Sequence, residues 1–154
     1  MMRFWRPYLA CVGLYVVGSL VHAFGPSVES RLALVRVDQR VHEVERAAGL
    51  LCWNWAGTKV RDLASDNLDA FLRVGEARDR FVVAVANQKT GMPWNAGAAP
   101  RPGPVDERFC TVLPPHVRDA DRLRLEWIAY YPGGGLGLWT LRLPLPDVLS
   151  EGTP

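Results

Sequence analysis

Hydrophobic and polar positions follow three successive rhythms along this chain. The first is unbroken apolarity. From residue 7 to residue 24 there is no charged side chain, and positions 8–24 read YLACVGLYVVGSLVHAF. With Phe4 and Trp5 this approaches the ~20 residues that carry a helix across a bilayer core. Arg3 and Arg6 precede it, so the positive-inside rule predicts a cytoplasmic N-terminus, and Trp5 and Tyr8 suit the lipid–water interface. Residues 1–25 are therefore expected to be a signal-anchor or transmembrane segment. The rest of the chain is expected to be periplasmic or extracellular. The competing expectation is a signal peptide cleaved after Ala23, since Val21-His22-Ala23 resembles a cleavage site. Cys11 follows Leu9-Ala10 as in a lipobox, but most of the apolar run comes after it, which argues against lipidation.

The second rhythm begins after Gly25-Pro26-Ser27. Leu34, Val37, Val41, Val44, Ala48 and Leu51 recur at spacings of 3-4-3-4-3, with charged residues between them. Such spacing predicts an amphipathic helical stalk over residues 26–50, capped by Ser27, with Glu29 in its first turn. Two and a half heptads fall short of a full coiled coil, so the stalk is expected to lie on its own domain. A neighbouring subunit would satisfy it equally, which makes self-association through residues 28–51 the alternative.

The third rhythm has period 2 and predicts a β-rich domain over residues 51–148, followed by a tail at 149–154. Leu123, Leu125, Trp127 and Ala129 alternate with polar or larger residues, as in a strand buried on one face. A glycine turn at 132–135 leads to a returning strand over 138–143, ended by Pro144 and Pro146. Further strands are expected at 52–60, 68–74 and 108–113. Residues 80–87 are apolar on both faces, which predicts a central strand covered on both sides. Residues 88–105, rich in Gly, Pro and Ala, read as a long loop. The fold class is mainly β: six short strands forming a small disulfide-bonded sandwich, with an immunoglobulin-like layout as an architectural analogy.

Composition changes this picture in two places. The net charge of +2 lies entirely in Arg3 and Arg6, and the rest of the chain is balanced. A balanced domain lacks the basic face that nucleic acid demands, so no nucleic-acid partner is expected. Beyond the apolar segment the chain holds two cysteines, Cys52 and Cys110, on two predicted strands. In an oxidising compartment such a pair predicts a disulfide.

Candidate chemistry is sparse. His22, His42 and His116 show no metal-ligand spacing, and no metal or cofactor is expected. The run from Gly133 to Gly137 lacks the Lys-Ser/Thr of a phosphate loop and falls inside a hairpin. Aromatic side chains are the remaining signal. Most should be core, while Trp94 in the long loop and Tyr130 on an outward strand position could anchor a partner. Together with Leu34, Val37, Val41 and Val44 of the stalk, they are the expected contact residues. The function expected is a membrane-anchored, non-catalytic interaction module, an accessory subunit of an envelope or membrane protein complex, with the bilayer and another envelope or membrane protein as partners. The alternatives are a secreted or virion-associated binding domain released after Ala23 and a small envelope hydrolase, a reading that would require an activity lost on mutating Glu126 or His116.

Overall fold

The computed structural model describes residues 5–75, 80–94 and 101–152, apart from the side chains of Arg6, Gly135 and Leu136. It opens with a 28-residue helix, α1 (Trp5–Leu32). The side chains from Leu9 to Phe24 stand free of the rest of the protein, Leu14 and Tyr15 being about three-quarters exposed. So much contiguous apolar surface is foreign to a water-exposed face. The helix is long and apolar enough to cross a membrane, and a membrane anchor and a signal sequence both fit this description.

The helix does not stop at Gly25-Pro26 and restart as a stalk. It runs through Pro26, which costs one backbone hydrogen bond, and ends at Leu32. The residues expected to continue the stalk form a strand instead, β1 (Arg36–Ala47). The heptad spacing was produced by two β-bulges. β1 pairs with β2 (Leu50–Lys59), and the register slips between Val37 and Arg40 and again between His42 and Glu45. Each bulge inserts one residue and reverses the face of everything beyond it, turning an alternating pattern into spacings of three and four. Asp38 and Glu43, one in each bulge, adopt positive φ. Gly57 lies opposite the first bulge, where an added Cβ would sit 3.3 Å from the Gln39 side chain and from the Val37 carbonyl. At the hairpin end Ala48 and Gly49 both have positive φ, forming the two-residue turn that matches strand twist.

The remaining strands are β3 (Asn67–Val74), β4 (Arg80–Val82), β5 (Val85–Asn87), β6 (Gly103–Val112), β7 (Leu123–Gly133), β8 (Trp139–Pro144) and β9 (Val148–Ser150). A single helical turn, α2 (Gly134–Gly137), links β7 to β8. The strands make two antiparallel sheets. One has the order β1-β2-β6-β5; the other runs β4-β3-β7-β8, with β9 continuing β8 along the same side of β7. The expected central strand at 80–87 is two short edge strands. The chain leaves one sheet after Val82 and enters the other at Val85, so its two apolar faces reflect a crossing between layers, not double cover.

The two sheets share one core. Leu51, Trp53, Trp55 and Phe109 come from the first sheet; Leu72, Leu125, Trp127, Tyr131 and Leu141 come from the second. The Trp53 and Trp127 rings meet edge to face at 5.2 Å across the interface, a geometry that the ring quadrupoles favour. Cys52 and Cys110 are bonded, and they sit directly opposite each other on β2 and β6. In immunoglobulin domains the bridge joins the two sheets. Here it joins neighbouring strands of one sheet, so the immunoglobulin analogy does not extend to the bridge.

Candidate functional site

Among the described residues, a polar construction joins α1 to the β domain. On α1, Gly25, Pro26, Glu29 and Ser30 are partly covered, while Val28 and Leu32 remain exposed. The covered residues share one helix face at spacings of three and four. Trp139, the first residue of β8, fills that face. Its indole N–H donates to Glu29 Oε2 at 2.8 Å. A Cβ built on Gly25 would fall 2.5 Å from the indole ring, and one on Gly134 would fall 2.8 Å from its other edge. The ring is therefore seated between two glycines, one on the helix and one on the hairpin tip, and neither position has room for a side chain. Arg61, just after β2, completes the joint. Its Nη1 pairs with Glu29 Oε1 at 2.7 Å and donates to the Ala33 carbonyl at 3.1 Å, tying down the last turn of the helix. A cation at a helix C-terminus also meets the negative end of the backbone dipole.

A second feature lies inside the domain. Arg36 is 6% exposed, and its Nε donates to the Tyr131 hydroxyl at 2.6 Å. Its guanidinium lies over the Trp55 ring at 4.3 Å, with Trp94 at 5.5 Å and Tyr131 at 5.9 Å. Stacking on aromatic faces is how a guanidinium tolerates burial. Lys59 pairs with Arg36 across the β1–β2 ladder, is equally buried, and reaches toward Asp62. Burial lowers the Lys59 ammonium from its ordinary range, with Arg36 adding to the effect and Asp62 opposing it. Burial likewise raises the Tyr131 phenol, against the pull of Arg36.

The expected contact residues do not form one surface. Val41 pairs with core-facing Trp55 and, with Val44, packs on the core. Val37 pairs with Thr58 on the opposite face of the sheet, and Leu34 lies exposed between α1 and β1. The seam that would have dimerised a helix is thus divided by the bulges, and self-association through a 28–51 helix has no such helix to act through. Trp94 folds inward from the long loop. It meets Trp55 and Trp127 edge to face and Phe109 at a tilt, and its indole N–H donates to Ser65 Oγ at 3.0 Å. Much of the rest of that loop, 95–100, lies outside the described residues. Tyr130 is half-buried and donates to Asp69 Oδ2 at 2.6 Å, an acceptor that raises its pKa. Glu126 is held by Arg73 at 3.0 Å, Arg80 at 3.5 Å and Arg124 at 3.6 Å, and His116 rests on Phe81. Among the described residues no three His, Cys, Asp or Glu side chains gather as metal ligands do.

No protein-family model matches this chain, and no curated protein matches it. The geometry alone must therefore carry any functional argument. What it offers is a joint built from Gly25, Glu29, Arg61, Gly134 and Trp139, none of which stood out as a contact residue in the sequence. In the buried feature, Lys59 had a legible signal there, since it shares the parity of Trp53 and Trp55 and so falls on the buried face.

Proposed function

We propose that the protein is a membrane-anchored extracytoplasmic module that contributes binding surface, without catalysis, to an envelope or membrane protein complex. The supporting observation is the joint. An apolar helix of membrane-spanning length is coupled to a disulfide-bonded domain through Trp139, Glu29 and Arg61 rather than through a flexible linker. A rigid coupling has a purpose when the domain must be presented at fixed height and orientation above a membrane. A domain destined for release would need no such attachment. The disulfide suits an oxidising compartment, and Arg3 and Arg6 favour a cytoplasmic N-terminus.

The test is the intact mass of the protein recovered from membranes, with and without reductant, together with protease access from each side. A full-length mass that gains two hydrogens on reduction, with the domain accessible only from the extracytoplasmic side, is the expected outcome. A soluble species beginning at Phe24 would overturn the anchor and favour a secreted binding domain. That second reading is supported by Val21-His22-Ala23, all exposed on α1. Crosslinking in intact membranes tests the accessory role: a discrete heteromeric adduct supports it, and a protein that crosslinks to nothing but lipid argues against it.

A further inference from the structure

We propose that the tip of the β7–β8 hairpin is a second membrane contact, lying in the lipid–water interface beside the helix. This rests on reading α1 as a retained anchor. Depth can be measured along that helix. The twenty residues from Trp5 to Phe24 rise about 30 Å at 1.5 Å each, the thickness of a hydrocarbon core. Gly25 then marks its outer boundary.

Trp139 rests directly on Gly25, and α2 at the hairpin tip also lies against α1. The tip is thereby held at the level where the hydrocarbon ends. Its chemistry suits that level. From Trp127 to Leu141 there is no charged residue, a run of fifteen, so nothing at the tip resists the interface. Leu138 is 66% exposed beside Trp139, an apolar side chain that the protein leaves mostly uncovered. Trp139 keeps its N–H bonded to Glu29, which meets the requirement for an indole in the interfacial belt. The backbone of the tip closes as one helical turn, and its remaining polar groups suit the hydrated interface and not the hydrocarbon.

The occupant is the bilayer itself, since α1 delivers the hairpin to it. Contact at a second point would limit tilting of the domain against the membrane plane and would define which face of each sheet points away from the membrane.

The test uses the full chain with Cys11→Ala, reconstituted in vesicles of phosphatidylcholine and phosphatidylglycerol. An environment-sensitive fluorophore is attached at Leu138→Cys or, as a remote control, at Val112→Cys, which is 70% exposed on β6. Resistance to alkaline carbonate reports the anchor. Quenching by a lipid-borne nitroxide near the headgroups, against quenching by aqueous iodide, reports the hairpin. The proposal expects carbonate resistance, a blue-shifted probe at 138 quenched mainly by the nitroxide, and a probe at 112 quenched mainly by iodide. A carbonate-resistant protein whose 138 probe is as open to iodide as its 112 probe would overturn the hairpin contact and leave the anchor standing. Extraction by carbonate would overturn both. Circular dichroism of each labelled variant confirms that the domain remains folded.

Discussion

Replacing Glu29 by Ala should open the joint between helix and domain, and the size of the effect follows from two interactions. The Glu29 carboxylate is 14% exposed; it accepts the Trp139 indole N–H and pairs with Arg61, itself 31% exposed. A hydrogen bond to a charged acceptor contributes about 1.5–3 kcal/mol. The ion pair, screened by water at Arg61, adds about 0.5–1 kcal/mol. Because both interactions share one carboxylate they do not simply add, and a total of roughly 2–3 kcal/mol is reasonable. At about 1.36 kcal/mol per tenfold, that raises the population of the open joint roughly 30- to 150-fold. The assay is tryptic cleavage after Arg31 in the full chain in detergent, where the rate follows the open population when closing outpaces cleavage. Glu29→Gln keeps an oxygen for Trp139 and loses the charge, so its rate should fall between wild type and Ala. Amides of β3 should exchange as in wild type, showing that only the joint has loosened. If Glu29→Ala cleaves no faster than wild type, the carboxylate does not hold the helix, and the case for a rigid mount fails with it.

Three further outcomes follow from the domain. Removing the bridge with Cys52→Ala and Cys110→Ala should cost about 4 kcal/mol by loop-closure entropy across 58 positions, read as a lower urea midpoint in detergent; an unchanged midpoint would contradict this. Ala48→Gly should stabilise by about 0.5–1 kcal/mol, because Ala48 is exposed at φ 50° and glycine carries no Cβ penalty there; a lower melting temperature would argue against the turn. Lys59→Met should stabilise at neutral pH, with the gain shrinking as pH rises. The Lys59 ammonium is lowered from 10.5 in the folded state, so the unfolded chain holds more protons between the two values, and the wild-type lysine recovers stability across that window. A Met variant whose advantage is flat with pH would show that Lys59 is not penalised by burial.

Much of this architecture was legible in the sequence, wherever one element alone decides the pattern. A run without charge from residue 7 to 24 dictates a membrane-compatible helix whatever follows it. The alternation of Leu123, Leu125, Trp127 and Ala129 dictates a half-buried strand, and all four side chains are buried in the core. Two cysteines on apolar strands identified their own bridge. These features depend on local periodicity, which a single strand or helix imposes by itself.

Tertiary structure decided what depends on a partner strand or on depth. The spacing of Val37, Val41 and Val44 matches a helix face and a twice-bulged strand equally well, and only the pairing of β1 with β2 selects the strand. Residues 80–87 look like one buried strand because the crossing between sheets is visible only when both sheets exist. Gly25, Glu29, Arg61 and Trp139 are more than a hundred positions apart at their extremes, and none of them alone signals a contact with the others. Their meeting is a consequence of where β8 ends in space, a quantity that no local pattern encodes.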